Sequence, residues 1–210
     1  MKREVVLLIL PMLALLAVGC TAVQSAAPVP STSSEPLPAP PEEAVAATVT
    51  AVPPPQRANL PDLGPAPEIR NEVWVNADAP VTLAASRGKV VLVEFWTFGC
   101  INCQRVIPYV KEWYETYAGD DFTVISVHYP EFAHERDYDN VVAATERLGV
   151  AYPVAIDNDR LTWGAYNQRY WPTTYLIDKE GNIRYKHIGE GAYQETEAAI
   201  QALMAEPDPS

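Results

Sequence analysis

Positive charge is scarce in this chain of 210 residues: 15 Lys and Arg stand against 27 Asp and Glu, a net charge of −12. That balance leaves no electrostatic footprint for nucleic acid or for anionic lipid headgroups. Cysteine is scarcer still, with three in all. No second cysteine pair exists to complete a tetrahedral zinc site, and an odd count gives one cysteine a separate fate. No apolar run reaches the ~20 residues of a membrane-spanning helix. Internal repeats are absent too. What remains is 48% apolar residues, enough for a core, and 20 prolines placed so unevenly that only part of the chain reads as globular.

The N-terminus accounts for the odd cysteine. Lys2 and Arg3 precede an apolar run from Val5 to Val18, broken only by Pro11. A short positive region followed by such a run reads as an export signal. It ends in Ala17-Val18-Gly19-Cys20, which resembles the bacterial lipobox, with Leu16 one place further back than that pattern has it. This reading makes residues 1–19 a lipoprotein signal and Cys20 the lipidated N-terminus; an uncleaved anchor and a secreted soluble protein are the alternatives. All three place the rest of the chain outside the cytoplasm, where disulfides are permitted. Twelve prolines lie from Pro28 to Pro67 without apolar periodicity. Residues 20–67 therefore read as a Pro/Ala/Ser-rich tether that cannot bury enough surface to fold.

Residues 68–206 form the folded domain in this reading, with 207–210 as a tail. Val90 to Trp96 is a continuous apolar run with one acid, the pattern of a strand buried on both faces. Helical spacing follows at Val106, Val110, Trp113 and Tyr117, with Gly119 as the stop. A strand over 122–127, a helix over 138–148 stopped by Gly149, a short strand over 152–156 and a short helix over 161–166 come next. Strands over 173–177 and 183–187 flank the turn sequence Asp178-Lys179-Glu180-Gly181-Asn182, and a helix over 193–204 closes the domain. Strand–helix alternation followed by a hairpin and a helix predicts an α/β sandwich around a mixed sheet.

Cys100-Ile101-Asn102-Cys103 joins the first long strand to the first helix. A helix N-terminus offers free amide donors and partial positive charge, and both favour a thiolate. Cys100 is thus the expected attacking sulfur, with a depressed pKa, and Cys103, one turn into the helix, the buried resolving thiol. A purely structural disulfide closing so short a loop would contribute only ~2 kcal/mol. Pro108 lies inside the helix, at a cost of ~3 kcal/mol in a regular helix, and fits a kinked helix with the dithiol at its tip.

Together with Val93-Glu94-Phe95-Trp96, Pro108 and Trp171-Pro172-Thr173-Thr174, this motif resembles the thioredoxin-fold oxidoreductases. Phe95 to Cys103, Pro130-Glu131-Phe132-Ala133-His134-Glu135 and Arg169 to Pro172 are similar to the DipZ-like branch of the TlpA/ResA group, over roughly residues 68–204. The resemblance implies a thioredoxin-like three-layer sandwich, with helices on both faces of a mixed sheet and a strand–helix insertion at 138–156. It also implies that Pro172 is cis beside the dithiol, an ordinary trans proline being the alternative, and that Glu94 is a buried acid exchanging a proton with Cys103. A Glu94 on a partly wet strand, or one paired with a nearby Lys or Arg, is the other reading.

Trp96, Ile101, Asn102, Trp171 and Thr173 are the expected surround of the site, with Trp96 equally well a core aromatic. Trp163, Tyr166, Tyr170 and Trp171 make an aromatic group suited to partner docking or to core packing. Glu131 and His134 belong to the family motif without a role derivable from the residues. His128 and His187 read as strand residues rather than ligands.

The function implied is an extracytoplasmic, membrane-anchored thiol-disulfide oxidoreductase. It would reduce disulfides of envelope proteins, apocytochromes c among them. It would use no cofactor or metal beyond the Cys100–Cys103 couple and act as a monomer. Electrons would come from a separate membrane donor of the CcdA/DsbD type. The residues themselves equally allow an oxidant of exported proteins. A copper metallochaperone is the principal alternative, although CxxC argues against it; a thiol peroxidase and a non-catalytic lipoprotein module fit less well.

Overall fold

A computed structural model describes residues 58–209. The signal segment 1–19, the lipidation site Cys20 and the tether before residue 58 lie outside the described residues. Within them the elements run β1 (Trp74–Val75), β2 (Val90–Trp96), α1 (Ile101–Tyr117), β3 (Phe122–His128), α2 (Tyr138–Leu148), β4 (Val154–Ile156), α3 (Leu161–Ala165), β5 (Thr173–Ile177), β6 (Ile183–Ile188) and α4 (Tyr193–Met204).

The sheet has six strands in the order β1-β4-β3-β2-β5-β6. β2 lies near its middle, parallel to β3 and antiparallel to β5, and every one of its residues is buried. This is why β2 reads as an unbroken apolar run rather than an alternating one. Its side chains still alternate between the two faces. Val90, Leu92 and Trp96 pack with Val106, Val110 and Trp113 of α1, Val141 of α2 and Ile200 and Leu203 of α4. Val91, Val93 and Phe95 pack with Trp163 of α3, Leu83 and Ile69 on the opposite face. The result is the expected thioredoxin-like three-layer sandwich, with α2 and β4 as the insertion.

Several boundaries differ from expectation. Residues 58–67, placed in the tether, are bound to the domain: Leu63 N–H donates to Ile183 O, Ile183 N–H to Gly64 O, and Pro65 bridges Asn182. Arg184, only 4% exposed, explains part of this. Its guanidinium donates to the carbonyls of Ala58, Leu60 and Pro61 and to the carboxylates of Asp178 and Glu206. The folded part therefore starts at or before Ala58. The two-residue β1, paired antiparallel to β4, went unforeseen because so short a segment has no periodicity to read. α1 ends at Tyr117 with Ala118 as its cap, so Gly119 is not the residue that closes it. Gly149 does close α2, in the left-handed conformation at φ 66°. Pro108 sits within α1 and is exposed there.

Candidate active site

The C-terminal ends of β2 and β3 lead into the site. Thr97, Phe98 and Gly99 turn the chain from β2 into α1, and Cys100 is the N-cap of that helix. Its sulfur accepts the N–H of Cys103 at 3.3 Å, occupying one of the donors that a helix leaves free at its first turn. Both cysteines are free thiols; Cys100 is half-buried and Cys103 fully buried.

Their acidities diverge. The hydrogen bond from the Cys103 thiol, helped by the backbone N–H groups of Cys103 and Asn102, lowers Cys100 to about 6 despite its partial burial. Cys103 is pushed far up, first by burial and then by that same hydrogen bond, which would be lost on deprotonation. The negative charge of Glu94 adds to the shift, so that side chain lies within electrostatic reach of Cys103.

Glu94 is wholly buried, on the α1 face of β2 with Leu92 and Trp96. One carboxylate oxygen, Oε2, accepts from Ser126 Oγ at 3.2 Å and Tyr152 Oη at 3.4 Å; Oε1 has no hydrogen-bond partner among the described residues. Burial outweighs the two hydrogen bonds and raises Glu94 to about 7. Neither alternative, a partly wet Glu94 or one paired with a Lys or Arg, matches this placement among the described residues.

The register of β5 against β2 pairs Thr173 with Phe95, which sets Pro172 level with Trp96, the last residue of β2 before the turn that leads to Cys100. The Trp171–Pro172 peptide bond is cis. Thr173 is buried, its hydroxyl donating to Tyr170 O at 2.9 Å. Trp171 is half-buried and donates from Nε1 to Tyr129 O at 3.1 Å, its ring against those of Tyr129 and Trp163. Trp96 is fully buried, its ring edge-on to His128. Ile101 is 58% exposed beside Cys100, and Asn102 turns its side chain toward Arg105.

The aromatic group divides. Trp163 and Tyr166 are core residues, whereas Tyr170 is 58% exposed. Glu131 and His134 are exposed in the loop after β3, and Glu131 is near enough to Cys100 for its charge to oppose thiolate formation. His187 is a β6 residue on the outer strand. His128 ends β3, wholly buried, with Nε2 3.3 Å from the Thr97 hydroxyl; burial lowers it to about 4, so its imidazole is neutral.

Sequence reasoning did not single out Glu135. It sits in a 3-10 turn over Ala133–Arg136, with none of its surface exposed. Its carboxylate takes the backbone N–H groups of Gly99 (2.8 Å), Glu131 (2.6 Å) and Phe132 (2.8 Å). These bonds, with one from the Thr97 hydroxyl, overcome the cost of burial and lower its pKa. The only signal for it in the sequence was membership of the 130–135 motif, since spacing cannot show a loop acid folding inward.

Comparison with known proteins agrees with this geometry. Residues 64–186 match the AhpC/TSA family. Protein DipZ of Mycobacterium tuberculosis is 43% identical over 155 residues, 72% of this chain but 22% of that protein, so this chain spans about a fifth of its length. The thiol-disulfide oxidoreductase ResA of Geobacillus kaustophilus is 31% identical over 123 residues, 58% of this chain and 67% of ResA. The crystal structure of a thioredoxin-like superfamily protein superposes with a TM-score of 0.65 at 27% identity, over 70% of this chain and 99% of that one.

Proposed function

This chain belongs to the AhpC/TSA family, among the thioredoxin-like thiol-disulfide oxidoreductases, and we propose that Cys100 and Cys103 are the couple with which it reduces disulfides in other proteins. The observation that carries this is the division of labour at the start of α1. One thiol is half-buried and acidified to about 6; the other is buried and held protonated.

The Cys100 thiolate attacks one sulfur of a substrate disulfide. A Cys100–substrate disulfide forms and the other substrate sulfur leaves as a thiolate, which takes up a proton. Cys103 then loses its proton and attacks Cys100. The Cys100–Cys103 disulfide forms and the second substrate sulfur is released. The substrate gains two electrons and this protein loses two. Glu94 suits the second step, because a carboxylate poised at about 7 can take the Cys103 proton at neutral pH. Pro172 and Thr173 are themselves buried and hold Trp171 in place, where an extended substrate segment would lie. Ile101 and Trp171 add apolar surface there.

The finer assignment rests on the N-terminal sequence. The basic start, the Val5–Val18 run and Cys20 support export and lipid anchoring, which puts the domain in the cell envelope. There its substrates would be disulfides of envelope proteins, including apocytochromes c, and the oxidised couple would be re-reduced by a membrane dithiol donor of the CcdA/DsbD type. Among the described residues no helix is long and apolar enough to cross a membrane. The deciding experiment is the reduction potential of the couple, titrated against dithiothreitol and read by alkylation and mass. A value near about −270 mV or below supports a reductase; one near about −120 mV makes the protein an oxidant of exported proteins. Failure to form the intramolecular disulfide overturns the oxidoreductase reading.

A further inference from the structure

Two carboxylates are buried beside the dithiol, and only Glu94 takes part in the exchange above. Glu135 approaches from the other side. The turn between β2 and α1 must hold the Cys100 sulfur over the first N–H groups of the helix. The turn carries the bond from Cys100 N–H to Thr97 O, and Gln104 Nε2 donates to Phe98 O at 2.7 Å, but neither takes the Gly99 N–H. That N–H is met by an acceptor inserted from the loop after β3. Glu135 Oε1 takes the Gly99 N–H at 2.8 Å, and Oε2 takes those of Glu131 and Phe132.

The Thr97 hydroxyl of the same turn lies 3.3 Å from His128 Nε2. The His128 ring stacks on Phe98 and meets the edge of Trp96. Gly99 completes the arrangement. A Cβ there would run into Glu135 Oε1, with the carboxyl carbon 3.4 Å away. The carboxylate cannot yield cheaply, because three N–H groups pin it. Thr97 in turn offers its carbonyl to the Cys100 N–H at 3.3 Å.

We propose that Glu135 is a positioning residue of the thiol exchange: its carboxylate clamps the Thr97–Gly99 turn to the 131–135 loop and so holds the Cys100 sulfur on the N-terminus of α1. The inference rests on Cys100 being the attacking thiol. The charged and titratable groups facing that sulfur are Cys103 on α1 and Glu131 in the loop. Those near Glu135 are His128, which feels its charge, and the exposed His134, whose ring meets Phe98.

The test is the pH dependence of iodoacetamide alkylation at Cys100 in the full chain, read by mass on the peptide that carries it. Glu135→Gln keeps the shape but turns an NH2 toward backbone donors, so one side of the clamp opens. A positioning role predicts that the Cys100 midpoint rises by about one pH unit or more toward the free thiol, slowing alkylation about fivefold at pH 6. Charge alone predicts the opposite sign, because removing a nearby anion favours the thiolate. Glu131→Gln supplies that control and should lower the midpoint. An unchanged or lowered midpoint in folded Glu135→Gln overturns the proposal. Should Glu135→Gln fail to fold, Gly99→Ala, which displaces the carboxylate from the other side, is read by the same criterion. The wild-type chain keeps the two questions apart. If its own Cys100 shows no lowered midpoint, the oxidoreductase reading falls before the role of Glu135 arises.

Discussion

The backbone N–H of Cys103 meets the sulfur of Cys100 at 3.3 Å; with the Cys103 thiol donating to that sulfur and burial acting on Cys103, two chemically identical side chains become opposite acids. Half-maximal alkylation of Cys100 is expected near pH 6, with Cys103 unmodified in the folded protein at pH values where free cysteine reacts. Cys103→Ala removes the thiol donor and should raise the Cys100 midpoint. Cys100→Ser should abolish attack on substrate disulfides, while Cys103→Ser should accumulate the mixed disulfide. Equal reactivity of the two wild-type thiols would contradict the assignment.

Glu94→Gln separates the two steps of the exchange. Attack by Cys100 is expected to proceed at the wild-type rate. Release of the mixed disulfide by Cys103 should slow on the order of 10²-fold, because the proton acceptor is gone. Its rate should also lose the inflection near pH 7 that the wild-type carboxyl supplies. Rapid-quench kinetics with a model disulfide reads both steps. An unaltered release rate with the inflection intact would remove Glu94 from the mechanism.

Glu94 and His128 act against each other in the pH dependence of stability. Glu94 is raised from 4.5 to about 7, so the unfolded chain gives up this proton first and stability falls as pH rises from about 4.5 to about 7. His128 is lowered from 6.5 to about 4, so the unfolded chain takes up a proton first and stability is lost as pH falls from about 6.5 to about 4. Each effect is worth about 3 kcal/mol, and between pH 4.5 and 6.5 the two nearly cancel. Urea unfolding should therefore give a nearly flat contribution in the wild type. In Glu94→Gln stability should rise with pH across that window, and in His128→Gln it should fall. Two variants with the same slope would refute the opposition.

Arg184→Met tests the link between the two ends of the domain. The guanidinium binds three carbonyls of residues 58–61 and two buried carboxylates, so its loss leaves Asp178 and Glu206 with an unpaired buried charge. A loss of about 3–5 kcal/mol is expected, with Tm lower by roughly 10 °C. Proteolysis should also reach residues 58–67 at lower protease concentration than in the wild type. A Tm within 2 °C of the wild type, about the shift from 1 kcal/mol, would show that the ends do not depend on this contact.

The sequence by itself determined the sheet core, the helix that carries the dithiol and the roles expected of its two sulfurs. Those follow from local causes: β2 is apolar throughout because both its faces are covered, and the Cys-x-x-Cys spacing places both sulfurs on one helical turn whatever else surrounds it. Family resemblance added Glu94 and cis Pro172, which composition and periodicity alone would have left as a strand acid and a strand-opening proline. The tertiary structure alone decided the rest. Whether Glu94 is dry depends on Ser126 and Tyr152, which arrive from 32 and 58 residues away. Glu135 reaches Gly99 across 36 residues, and Arg184 reaches Ala58 across 126. A charged side chain in a loop or on an outer strand reads from sequence as solvated. Only the folded chain brings the backbone donors and opposite charges that let Glu135 and Arg184 be buried, because those partners come from elements with no fixed sequence spacing to them.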